Sequence, residues 1–367
     1  MDPLQPIRDK VTKPLWEKVE EAEKNFEKGK PLHPLYSQFD GIKTLLFSPP
    51  STTRTGSHIR DGVDLKRTMI TVVLAMIPCL LHGIMSVGHM HFVSEGQYLG
   101  FFDGMLPKLG YGLLKVLPIV VVSYMVGLGI EFAFAQMRQE PISEGFLVSG
   151  MLIALVMPPD VPLWMVGVAT AFAVIIGKEA FGGTGMNILN VALLARVFIF
   201  FAYPTYISGD EVWIAGLETT DKEGNILPDA YSGATILGFL ANFESLTEPM
   251  RVYSTTAGEW AGMYAPLDIV FGFIPGSIGE TNKIAILIGA IILLASGVGS
   301  WRIMVSVFVG AFVTSMLLNA VGGSMFLETP PQIQLILGGL AFGAVFMATD
   351  PVTACQTNTG KYIYGFF

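Results

Sequence analysis

The sequence predicts an all-α polytopic membrane protein. Three observations carry that reading. Of 367 residues, 51% are hydrophobic and 14% charged, against roughly 25% charged in ordinary soluble domains. Apolar runs approaching the ~20 residues a helix needs to cross a bilayer recur along the chain. The basic residues are also segregated, 12 of the 22 lysines and arginines lying in residues 1–67.

The first element is that polar segment, residues 1–67. Its stretch LWEKVEEAEKNFEKGKP spaces Leu15, Val19, Ala22 and Phe26 as a helix does, with charges between them. A solvated helix lying on a partner or on lipid headgroups is expected. The first apolar run starts near residue 69, so no cleavable signal peptide is visible. Spans are predicted at 69–87, 112–135, 145–157, 162–177, 187–204, 283–297, 303–321 and 333–348. The third is short and runs into MPPD (157–160), so it is expected to tilt or stop inside protein. A ninth apolar run begins at YIYGFF, and a chain continuing beyond it is expected.

Sidedness follows from lysine and arginine. The basic segment 1–67 is expected in the cytoplasm. Five spans (68–207) then put the interval 208–282 outside, and residues 208–266 hold only Lys222 and Arg251 against nine acids. Residues 283–367 form a second membrane unit. A weak repeat relates the halves: a proline-bearing polar approach, two spans, then a glycine-rich short span ending in a Pro/Asp turn. SPPSTTRTGSH and GFLVSGMLIALVMPPD answer to IPGSIGETNK and ILGGLAFGAVFMATDP. With five spans per unit the second copy is inverted, which places a site or ion path between the halves.

Several constellations could carry chemistry. In GKEAFGGTGMNILN, Gly182, Gly183 and Gly185 let backbone approach a flat ring. Thr184, Asn187 and Asn190 supply hydroxyl and amide groups, the asparagines sharing one helix face at a spacing of three. Tight packing at a helix start explains the glycines equally well. Glu131 lies within the second span and Asp350 closes the eighth; ionisable groups at that depth face a cavity or a partner, or else snorkel (Glu131) or simply close a turn (Asp350). Phe342 and Phe346, four apart, could form a hydrophobic constriction or ordinary core. Outside the spans, Ser232-Gly233-Ala234-Thr235 reads as the start of a short helix 234–243 capped by Ser232. Such an N-terminus also suits an anion.

Other chemistries are disfavoured. The net charge of −8 and the lack of a basic stripe give no sign of nucleic-acid binding. Cys79 and Cys355 form no CxxC motif, which argues against an iron–sulfur or structural zinc centre. His89 and His91 flank Met90 just outside the first span, but two ligands make a poor metal site. No dinucleotide fingerprint follows a strand.

With SGAT outside, GKEAFGGTG inside, and FFAYP, PGSIGE and FMATDP in order, the chain resembles one family of membrane subunits. It comprises the B subunit of sodium-translocating NADH:quinone oxidoreductases and the D subunit of Rnf complexes. The long N-terminal segment favours the quinone-reducing branch. The resemblance implies ten spans, the last one or two being absent here, and a bacterial inner-membrane location. It implies FMN joined to Thr235 as a phosphoester by an external flavin transferase, beside Ser232, Gly233 and Ala234. It implies riboflavin held near Asn187 and Asn190, and a quinone and sodium path involving Gly127, Glu131, Phe342, Phe346 and Asp350. Ubiquinone, sodium, membrane lipid and further subunits are the implied partners, with NADH oxidised elsewhere. The chain departs from the family at Val191, where a proline is usual, and at Leu128, where the run VGLG (126–129) replaces the second glycine of the family's VGG motif. It also carries an extra stretch, ETTDKEGNILP. A non-redox channel or secondary transporter is the alternative of another class.

Overall fold

A computed structural model describes residues 65–138, 145–217, 233–242, 252–261 and 264–367, with short pieces at 18–19, 21–26, 30 and 39. Ser232, Leu15, the extra stretch at 218–228 and the approach segment SPPSTTRTGSH lie outside the described residues.

The architecture is helical. Helices α1 (Leu65–Ser94), α2 (Met105–Arg138), α3 (Phe146–Val156), α4 (Leu163–Gly177) and α5 (Val191–Ala202) make the first half. The connecting region holds the short α6 (Ile236–Asn242), strands β1 (Val252–Ser254) and β2 (Glu259–Ala261), and α7 (Pro266–Phe271). Helices α8 (Lys283–Ala295) and α9 (Trp301–Val321) open the second half. Among the described residues, four helices are long and apolar enough to cross a membrane: Arg67–Ser94, Met105–Arg138, Leu163–Phe181 and Trp301–Val321. Three apolar helices are shorter, Phe146–Val156, Val191–Ala202 and Lys283–Ala295. Helix α2 leaves Leu106, Leu114 and Met125 exposed, the surface expected of a lipid-facing helix.

Several sequence expectations need correction. Helices α1 and α2 outrun their predicted spans, at 30 and 34 residues. At 1.5 Å per residue, α1 is about 45 Å long, longer than the ~30 Å hydrocarbon core. Its last turns, with Met90 and Val93, therefore reach a second apolar cluster built with Ile236, Phe239 and Val252. His89 and His91 thus lie within the helix. His89 Nε2 is 2.9 Å from Thr255 Oγ1, while His91 Nδ1 is 2.9 Å from the Ala215 carbonyl. They serve different neighbours.

The predicted span 333–348 is not one helix. It breaks into α10 (Pro331–Gln334), α11 (Leu340–Phe342) and a π turn, Gly343–Met347. Gly338, at φ +54° between α10 and α11, interrupts the run. The predicted span 187–204 also shortens, because the GGTG loop continues to Asn190. The β1–β2 ribbon, paired antiparallel with Tyr253 opposite Trp260, departs from a purely helical reading. Three-residue strands leave too little alternation to detect.

The main core joins both halves. Helix α3 is almost wholly buried, from Gly150 through Val156. Its C-terminal end accepts two backbone hydrogen bonds from the PGSIGE loop, Gly279 N–H to Leu155 O (2.8 Å) and Ile278 N–H to Met157 O (3.2 Å). A short helix ending in mid-protein is acceptable where protein groups satisfy its last carbonyls. The final helix, α12 (Asn358–Phe366), packs on α9 and contains the YIYGFF run.

Candidate functional site: two clefts sharing three elements

Two clefts bring together six of the sequence-predicted residues, five in the first and Thr235 in the second. The first is lined by Thr184, Asn187, Asn190, Phe346 and Asp350. Those five come from the GGTG loop and from the MATDP turn, 160 residues apart. Apolar walls from Met69, Val72, Leu152 and Leu293 complete it.

Asn190 is the hinge of this cleft. It is the N-cap of α5, its Oδ1 accepting from Ala192 N–H (3.0 Å) and Leu193 N–H (3.2 Å). Its Nδ2 donates to Asp350 Oδ2 at 3.3 Å. Asp350 in turn accepts from Val352 N–H and Thr353 Oγ1, both at 3.1 Å, which makes it a turn acid before Pro351. Asn187 lies before the helix and donates to the Leu189 carbonyl at 3.2 Å. The two asparagines therefore share a cleft but not a helix face, because α5 begins only at Val191. Val191 occupies the first helical position, where the family's proline would also fit.

The glycines act mainly through backbone. Gly182, Gly183 and Gly185 have φ of +116°, +97° and +91°, which side-chain-bearing residues rarely adopt. Gly183 packs on Arg138, whose Nη1 would lie 3.3 Å from an added Cβ. Arg138 binds Glu179 through Oε2 (2.9 Å) and through the carbonyl (2.6 Å).

Glu131 does not snorkel. It is 4% exposed and paired with Lys178, itself 3% exposed. Sequence reasoning passed over Lys178, although it stands inside GKEAFGGTG and lines the first cleft. Gly127 lies one turn before Glu131. The ring of Phe146 fills the space a Cβ would need there, so Gly127 permits close α2–α3 packing.

The second cleft contains Thr235. Thr235 caps α6 itself, Oγ1 accepting from Gly238 N–H at 3.1 Å; the sequence had placed Ser232 in that role. Gly233 and Ala234 are buried. A Cβ at Gly233 would run into the Asp210 carbonyl and lie 2.7 Å from Leu217. Facing Thr235 across the cleft are Arg196, Glu280 and Lys283. Arg196 Nη1 donates to Glu280 Oε2 at 3.1 Å, and Lys283 Nζ to the carbonyls of Glu280 (2.8 Å) and Gly338 (3.0 Å). None of these three was singled out from sequence, although PGSIGETNK contains two of them.

Three elements reach both clefts. On α5, Asn190 and Val191 line the first and Arg196 the second. On α8, Lys283 lines the second and Leu293 the first. Ten residues of helix separate that pair by about 15 Å. Between Gly339 in the second cleft and Phe346 in the first lies Phe342, 1% exposed, its ring centroid 4.9 Å from that of Phe346.

The donor sets suit flavins. The first cleft offers apolar faces for a flat ring and amide, hydroxyl and ammonium groups for its edge. The second holds a hydroxyl in a cleft that two cationic side chains also line, groups that suit a phosphate.

The model of the NQR2, RnfD, RnfE family matches residues 52–367. The chain is 40% identical to the B subunit of the Na(+)-translocating NADH-quinone reductase of Chromohalobacter salexigens, over 95% of this chain and 84% of that protein. It is 39% identical to the protein of that name from Azotobacter vinelandii, and 38% to that from Stutzerimonas stutzeri, over 95% of this chain and 86% of each. A match over 95% of the chain extends beyond 52–367 into the N-terminal segment. The chain belongs to the NQR2, RnfD, RnfE family.

Proposed function

We propose that the chain is the B subunit of a sodium-pumping NADH:quinone oxidoreductase, resident in a bacterial inner membrane. It would carry electrons from FMN on Thr235 in the second cleft, through riboflavin in the first, to ubiquinone or a related quinone. One observation carries this reading: two clefts with complementary donor sets sit at opposite ends of shared helices. The match of the curated relatives into the N-terminal segment favours the B subunit over the Rnf-type D subunit.

The residues have distinct tasks. Thr235 offers the ester oxygen, an external flavin transferase making the bond. Arg196 and Lys283 supply positive charge for the phosphate, and Gly233 and Ala234 keep its approach clear. Ser232 precedes them in the motif. Asn190, Asn187 and Thr184 orient the edge of the riboflavin ring. Phe342 and Phe346 exclude water and close the direct route between the clefts. Glu131 and Asp350 provide carboxylates for a sodium path, with Gly127 holding α2 against α3. The flavins, when bound, supply the electron carriage. Cations offset the added charge in a low-dielectric site, since Coulomb energies grow as the dielectric falls. The partner set comprises the subunits that oxidise NADH, the quinone, sodium and lipid. The N-terminus is cytoplasmic and Thr235 extracytoplasmic.

The test is in-gel flavin fluorescence of denatured protein from cells that contain the transferase. Wild type is expected to fluoresce and Thr235→Val to be dark. A dark wild type would favour a transporter with no redox role. Quinone turnover by the purified complex that is indifferent to sodium would remove the coupling.

A further inference from the structure

Lys178 is a group the reading above leaves without a task. Among the described residues lining the first cleft it is the one lysine or arginine. It is 3% exposed, and a buried ammonium requires a compensating partner. Its carboxylate partner, Glu131, reaches it from α2, and Glu131 does not itself line the cleft. The neighbouring carboxylate, Glu179, is held by Arg138 through two hydrogen bonds, at 2.9 and 2.6 Å. It therefore does not compete for Lys178. Glu131 uses one oxygen on Lys178, while its Oε2 is buried without a hydrogen-bond partner. The pair is thus a single contact rather than a closed network. An ammonium has three donors, and one contact to Glu131 leaves two to share with a ligand.

We propose that Lys178 is a positioning residue of the first cleft, holding the electron-rich edge of a bound flavin while Glu131 anchors it from behind. This rests on the riboflavin reading of that cleft. The chemistry selects a flat heteroaromatic ligand with acceptor atoms along one edge, which gains negative charge on reduction. A fixed cation at that edge favours the reduced form, and the carboxylate behind it moderates the effect. The two residues therefore act with opposite sign. Removing the ammonium favours oxidised flavin. Neutralising Glu131 leaves the ammonium uncompensated and favours reduced flavin.

The experiment is a spectroelectrochemical titration of the non-covalent flavin in the purified complex. At the potential where the wild-type flavin is half reduced, Lys178→Met is expected to raise the oxidised-to-reduced ratio about tenfold. Glu131→Gln is expected to lower it, and Lys178→Arg, which keeps the charge, to stay near wild type. A purely structural ion pair would change stability without this opposition of sign. Unchanged ratios in Lys178→Met and Glu131→Gln, with flavin at wild-type stoichiometry, would overturn the inference and leave the riboflavin reading standing. Wild-type complex without extractable flavin would overturn both. If Lys178→Met does not assemble, Glu131→Gln decides: a shift toward reduced flavin supports the role, and no shift refutes it.

Discussion

Replacing Asn190 with leucine separates what this side chain does for the fold from what it does for a ligand. Its Oδ1 takes two N–H groups at the start of α5, and loss of such a cap costs about 1 kcal/mol. Its Nδ2 also donates to the Asp350 carboxylate at 3.3 Å. A hydrogen bond to a charged group is worth about 1.5 kcal/mol at the lower end of its range, the end fitting a long, partly buried contact. The expected destabilisation is therefore about 2–3 kcal/mol, enough to loosen the loop and the MATDP turn without unfolding the membrane core. Asn190→Asp is the control. It keeps a capping oxygen but sets a carboxylate against Asp350, so it retains the cap and loses the bridge. The assay is acid extraction of non-covalent flavin, normalised to the covalent flavin fluorescing on a gel. Asn190→Leu should lose the extractable flavin and keep the covalent one. Full retention of extractable flavin, alongside the expected loss of stability, would show that the first cleft holds no flavin through Asn190.

Other perturbations report on the supports of the two clefts. Gly127→Ala forces a methyl into the ring of Phe146 and should cost about 1–3 kcal/mol, read as a lower melting temperature in detergent. Lys178→Met alone strands Glu131 as a buried charge, at about 3–5 kcal/mol, and the double variant Lys178→Met/Glu131→Gln should recover much of that stability. Asp268 is fully buried and accepts from Ser254 Oγ (2.7 Å), Thr256 N–H (2.9 Å) and Ala265 N–H (3.3 Å). Asp268→Ala should cost about 2–4 kcal/mol, seen as faster hydrogen exchange across 252–274.

The long apolar helices were legible because composition and run length are one-dimensional signals. The short helices were harder. Residues 333–348 are almost wholly apolar, yet a left-handed glycine, Gly338, breaks the segment, and hydropathy does not register such a break. Asn187, Asn190, Phe346 and Asp350 were legible through motifs, but their convergence on one cleft is a tertiary fact. Lys178, Arg196 and Lys283 were missed for a related reason. Lys178 and Arg196 are lone cations whose carboxylate partners, Glu131 and Glu280, arrive from elsewhere in the chain, and Lys283 joins Arg196 in one cleft only through the tertiary fold.

The most direct test of the two-cleft account is the mass of the proteolytic peptide containing Thr235, from protein made in cells with the flavin transferase. The account predicts a peptide heavier by FMN less one water, with the modification localised to Thr235. An unmodified Thr235 peptide, in cells where a known flavinylated subunit is modified, would contradict it.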